Sequence, residues 1–169
     1  MGLFSSKKQN FEKIYDSSIE KIYRFIFIKV SSQEIAEDLT SEVFLRGWKS
    51  FQEKEDIKNI NAFLYQIARN LVVDYYRQKG KAQVVSIETW EITDEETDLE
   101  SDAVFQSELK EIQKAISKLK DDYQNVIIWH YLDELSIKEI ARILDKPEGT
   151  VRVMLHRALK SLKSGLNTD

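Results

Sequence analysis

The chain of 169 residues contains no cysteine. Disulfide frameworks, thiolate-bound zinc and cysteine nucleophiles are therefore excluded. It has one proline, Pro147, and five glycines, so it carries few of the residues that interrupt helices. Histidine occurs twice, as His130 and His156, with no metal-ligand spacing to acids or to each other. No phosphate loop, glycine-rich dinucleotide fingerprint or Ser/His/Asp constellation is present. No catalytic residue, metal, cofactor or small-molecule substrate is expected, and an enzyme is the weakest of the functional classes. Long hydrophobic runs are also missing. The most apolar run, residues 22–30, contains Arg24 and Lys29 and is far too short to span a bilayer. No secretory signal is evident. The opening residues, Met1 to Lys7, carry the glycine and serine of a myristoylation signal, but that pattern is short and commonly accidental. A cytoplasmic protein is the expectation.

What is present is charge and helix formers. Hydrophobic residues make up 42% and charged residues 32%, which suits a soluble, charge-rich helical protein. The net charge of −4 is unevenly spread. Residues 83–113 hold ten acidic side chains and one basic one, Lys110, a local charge of −9 that leaves +5 for the rest. Overall acidity thus says little against nucleic-acid binding, which depends on local patches. No strand is convincing, although residues 84–87 are extended in character. The predicted fold is all-α: two small helical domains, about 8–81 and 105–166, joined by an acidic linker over 82–104. Clustered like charges keep such a linker extended. Trp90 and Ile92 are its apolar exceptions.

In the first domain, Phe11, Ile14, Tyr15, Ile19, Ile22, Tyr23 and Ile26 predict an amphipathic helix with a break near Ser17-Ser18. Ser31 with Glu34 predicts a capping box. It opens a helix with Ile35, Leu39, Val43 and Phe44 on one face and Trp48 and Phe51 near its end. After a polar stretch over 52–61, a third helix is expected from about Ala62 to Gln78, with Gly80 as terminator. That helix mixes aromatics with Arg69, Arg77, Lys79 and Lys81. The mixture suits single-stranded nucleic acid, but by itself reads first as a core helix.

The second domain is predicted to hold helices over 107–117 and 121–132, and then the most informative stretch. Ser136 and Glu139 form a capping box ahead of Ile137, Ile140, Ala141 and Leu144. Asp145-Lys146-Pro147 is expected to end this helix, because proline lacks the amide and disfavours helical geometry in the residue before it. A second helix then buries Val151, Leu155, Ala158, Leu159 and Leu162, with Arg152, Arg157, Lys160 and Lys163 between and beyond them. No acid occurs from Thr150 to Thr168. This is the pattern of a helix-turn-helix with a basic recognition helix; the plainer alternative is a helical hairpin with a solvated basic face.

Taken together, three segments closely resemble the sigma factors of bacterial RNA polymerase, in the short extracytoplasmic-function form. They are Ala36-Glu37-Asp38-Leu39-Thr40-Ser41-Glu42-Val43-Phe44-Leu45-Arg46-Gly47-Trp48, then residues 62–77, then Glu148-Gly149-Thr150-Val151-Arg152 with Leu155-His156-Arg157-Ala158. The resemblance implies binding to core RNA polymerase and promoter DNA, and commonly regulation by an anti-sigma factor. It places polymerase contact on Asp38, Leu39, Glu42 and Phe44, with Asp38 and Glu42 facing basic residues of the partner. It places minus-ten recognition, as unpaired DNA with a flipped base, on Asn59, Asn61, Arg69, Asn70, Asp74, Arg77 and Lys79. Extruding a base costs a few kcal/mol, so a pocket offering both stacking and hydrogen bonds is needed. It places minus-thirty-five recognition on Glu148, Thr150, Arg152, Val153, His156, Arg157 and Lys160, with Arg152 suited to guanine. The family commonly has Ser-Arg where this chain has Val153-Met154. Either Val153 faces the groove and touches a thymine methyl, or Met154 packs inward. The linker would span tens of ångströms between the two promoter elements. A monomer is expected when free. The competing class is a stand-alone helix-turn-helix regulator that binds duplex DNA as a dimer; a helical interaction module without DNA affinity is weaker.

Overall fold

The computed structural model describes residues 2–54, 57–80 and 100–166. The expectations for residues 81–99, including Lys81, the extended stretch 84–87, Trp90, Ile92 and most of the acidic linker, fall outside the described residues. The chain divides into two compact units near residue 83. The described residues are helical and contain no strand, so the all-α expectation holds.

The first unit consists of α1 (Gly2–Val30), α2 (Gln33–Glu53) and α3 (Ile60–Lys79), each packed on the other two. Helix α1 runs without the expected break at Ser17-Ser18. Both hydroxyls find partners without leaving the helix: Ser17 Oγ donates to the Ile14 carbonyl at 3.0 Å, and the buried Ser18 Oγ donates to Asn61 Oδ1 at 3.0 Å. The helix ends at Ser31, which takes a left-handed φ of 56° while its N–H reaches the Phe27 carbonyl at 2.8 Å.

That conformation corrects the predicted capping box. An N-cap residue needs extended backbone geometry, and Ser31 is occupied as the left-handed end of α1. The cap of α2 is Ser32 (φ −138°, ψ 123°), whose Oγ accepts from the Ile35 N–H at 3.3 Å. Helix α3 starts at Ile60, slightly earlier than predicted, because Asn59 caps it through an Oδ1 bond from the Ala62 N–H at 3.0 Å. Gly80 follows the last turn with extended backbone. The Tyr76 hydroxyl donates to the Lys29 carbonyl and ties the end of α3 to the end of α1.

Ile22, Phe25, Ile26, Ala36, Val43, Leu64 and Ala68 fill the core. Each large apolar side chain buried this way contributes roughly 1.5–3 kcal/mol. Helices α2 and α3 approach closely at Gly47, where an added Cβ would overlap Leu64 Cδ2.

The second unit contains α4 (Glu100–Ser117), α5 (Asp121–Ile127), a π-helical turn (Ile128–Leu132), α6 (Ile137–Leu144) and α7 (Glu148–Leu166). Helix α4 begins seven residues before the predicted start at Ser107. The helix expected over 121–132 is present but widens in its last part. There Asp133 N–H bonds the Ile128 carbonyl at 3.0 Å, and Glu134 (φ 59°) turns the chain so that Leu135 N–H meets the Trp129 carbonyl at 2.8 Å. Trp129 is completely buried, with Val126, Ile128, Ile140, Val151 and Ala158 also at zero exposure. Helix α7 packs on α5 and α4.

The Ser136–Glu139 capping box forms as predicted: Glu139 N–H bonds Ser136 Oγ at 3.1 Å and Ser136 N–H bonds a Glu139 carboxylate oxygen at 3.2 Å. The turn after α6 forms differently. Asp145, not Pro147, ends the helix, with a left-handed φ of 53°. Lys146 N–H reaches the Ala141 carbonyl at 3.0 Å and Asp145 N–H the Arg142 carbonyl at 3.4 Å, the pairing of a Schellman end. Pro147 instead starts α7: its carbonyl accepts from Thr150 N–H at 3.1 Å and Val151 N–H at 3.2 Å.

Candidate nucleic-acid interface

On α7 the helical period separates two faces. Val151, Leu155 and Ala158 point inward and are buried. Arg152, Val153, His156, Arg157 and Lys160 are all exposed, as are Glu148 and Thr150 at the helix start. The seven residues proposed for minus-thirty-five recognition therefore share the outward side of one helix. Met154 is half-buried, while Val153 is 47% exposed. Val153 is thus turned outward and Met154 partly toward the core, as adjacent residues lie about 100° apart on a helix.

The α3 candidates divide. Asn70, Asp74 and Arg77 recur at i, i+4 and i+7 and are exposed on one stripe. Arg77 lies 3.7 Å from the Asp74 carboxylate, an exposed and weak pair. Lys79 Nζ sits 5.5 Å from the centre of the Tyr75 ring, which leaves it at the exposed end of the helix. Arg69 is half-buried. Asn59 and Asn61 stand at the opposite end, and a helix of 20 residues is about 30 Å long. Their Oδ1 atoms are already engaged, in the α3 cap and with Ser18. The seven residues thus form no single pocket, and the two asparagines carry fold-building bonds. Val73, 40% exposed beside Asp74, was not singled out from the sequence; an apolar residue off the core stripe is the signal.

On α2, Asp38 is exposed and Leu39 and Glu42 are half-buried. Glu42 accepts from Arg46 Nε at 2.7 Å, so its charge is partly offset within the helix. Phe44 is only 6% exposed, with ring centroids 4.8 Å from Tyr15 and 6.4 Å from Phe11. It belongs to the packing between α1 and α2 rather than to an open contact surface. The exposed apolar side chain there is its neighbour Leu45, at 65%. Leu45 lies i+7 from Asp38, on the same face, and sequence periodicity alone passed it over. Phe11, Tyr15, Ile19, Phe44, Leu45 and Trp48 line an apolar groove of about 520 Å³ beside it.

Comparison with known proteins identifies the family of both units. Residues 14–82 match the Sigma-70 region 2 family and residues 109–162 the Sigma-70, region 4 family. The chain is 34% identical over 165 residues to the ECF RNA polymerase sigma factor SigW of Bacillus subtilis (strain 168), covering 92% of this chain and 88% of that one. It is 29% identical over 157 residues to SigM of the same organism, covering 92% and 94%. The fold is similar to that of the sigma factor RpoE from Bartonella quintana, solved in complex with the anti-sigma factor NepR. The TM-score is 0.68 at 21% identity, over 95% of this chain and 99% of that one. The chain belongs to the sigma-70 family of RNA polymerase sigma factors. Within it, the chain is a member of the extracytoplasmic-function group and directs promoter-specific transcription initiation.

Proposed function

We propose that the two units divide this work between polymerase and DNA. The first unit, about residues 8–81, binds core RNA polymerase through α2 and reads the minus-ten element through α3. The second, about 105–166, reads the minus-thirty-five element as duplex through α7, and residues 82–104 tether the two. The observation that carries this reading is the outward face of α7, where Arg152, His156, Arg157 and Lys160 stand exposed around Val153. The arginine and lysine cations fix phosphates, and an arginine near the start of the helix reaches guanine edges. On α3, Asn70 and Asp74 offer hydrogen-bonding groups to base edges and Arg77 a phosphate contact.

The protein acts by binding, without chemistry of its own, as a cytoplasmic monomer held in check by an anti-sigma factor. Among the described residues, no helix is long and apolar enough to cross a membrane. For the polymerase contact, Asp38 and Leu45 are the outward residues of the α2 face, with Leu39 and Glu42 alongside.

The test is a pull-down with purified bacterial core RNA polymerase, comparing wild type with Asp38→Arg. Asp38 is exposed, so the charge reversal leaves the fold intact, as far-UV circular dichroism would verify. Wild type should bind and Asp38→Arg should not. Equal binding by both would remove Asp38 from the contact. If neither binds, the stand-alone duplex-binding regulator becomes the better account.

A further inference from the structure

We propose that Val153 reads the C5-methyl group of a thymine in the major groove and thereby specifies one A·T pair of the upstream promoter element. The proposal rests on the reading of α7 as the helix that enters the groove, and it adds the chemistry of one position.

Val153 lies 200° around the helix from the buried Val151, at about 100° per residue, and so projects away from the core. Arg152 precedes it, and His156 and Arg157 follow one turn later; all three are exposed. The isopropyl group is therefore set within the cationic face, not at its margin. Its neighbours can serve phosphates and guanine edges. A valine can serve neither, because it has no donor, acceptor or charge. The feature of a major-groove base edge that an aliphatic group recognises is the thymine methyl. Helix propensity supplies no competing reason for valine here, since β-branched residues are slightly disfavoured in helices relative to long polar ones. Met154 is half-buried, which leaves Val153 as the aliphatic group available to DNA at this level.

The experiment uses holoenzyme assembled from the full chain and core polymerase. Promoter DNA is first selected from a randomised pool. Each thymine of the upstream element is then replaced singly by deoxyuridine, which removes only the methyl. One such replacement should weaken wild-type binding by about fourfold, the factor carried by burying one methylene-sized group. Holoenzyme carrying Val153→Ala should bind the thymine and uracil forms of that site equally. Val153→Thr keeps one γ-methyl and should retain part of the discrimination. A selected element without an A·T pair overturns the proposal. So does a set of uracil replacements none of which separates wild type from Val153→Ala, even though selection itself would leave the sigma-factor reading standing. Failure to select any DNA would count against that reading, and the proposal falls with it.

Discussion

Replacing Gly47 with alanine tests how α2 and α3 are held together. Gly47 is buried in α2, and the added methyl would overlap Leu64 Cδ2 on α3. Leu64 is 0% exposed, so any shift of its side chain must be taken up within the core. Inserting a methyl group into such packing costs about 1–3 kcal/mol. Against this, alanine is favoured over glycine within a helix by about 1 kcal/mol. The expected net effect is a loss of up to about 2 kcal/mol. Hydrogen exchange of α2 and α3 peptides in the full chain, followed across urea concentrations, reads the stability of this unit separately from the other. Leu64→Ala alone should cost about 2–5 kcal/mol. In the double variant the overlap is gone, so the two losses should sum to less than their separate values. A Gly47→Ala protein more stable than wild type would refute the close-approach argument. The helix preference would then have decided the outcome.

The remaining predictions concern caps and charge. Ser32→Ala should destabilise α2 by about 1 kcal/mol, since it removes the bond to the Ile35 N–H. Ser31→Gly should leave stability equal or raise it by about 1 kcal/mol, because glycine takes the left-handed φ of 56° without a Cβ penalty; exchange of the α2 amides measures both, and the reverse ranking would restore Ser31 as the cap. Tyr23 should ionise above the ordinary tyrosine value of 10.0, first because burial disfavours its charged form and second because Glu37 lies nearby. The folded state then holds this proton more tightly than the unfolded state, so stability falls as pH rises past 10. Tyr23→Phe should flatten that fall in urea midpoints measured from pH 9 to 11, and an unchanged slope would dismiss the effect.

Much of the site was legible in the sequence because its signals are local. A capping box spans four residues, and Ser136–Glu139 formed as its spacing predicted. The buried stripe of α7 follows the helical period, so the exposure of Arg152, His156, Arg157 and Lys160 follows from the positions of Val151, Leu155 and Ala158. The three family motifs carry the sigma-factor character within the sequence itself.

Other features depended on partners distant along the chain. Whether Ser17-Ser18 breaks α1 was decided by Asn61, 43 residues away from Ser18. Whether Ser31 or Ser32 caps α2 was decided by where α1 runs out, because one residue cannot take left-handed and extended backbone at once. Phe44 and Leu45 are adjacent and both apolar, and only the packing of α1 against α2 buries the first and leaves the second at 65% exposure. Local composition and periodicity thus determined the class of fold, the helix-turn-helix and the family. The tertiary structure alone decided which face of each helix remains open to a partner, because burial is a property of the neighbour that covers a residue and not of the residue itself.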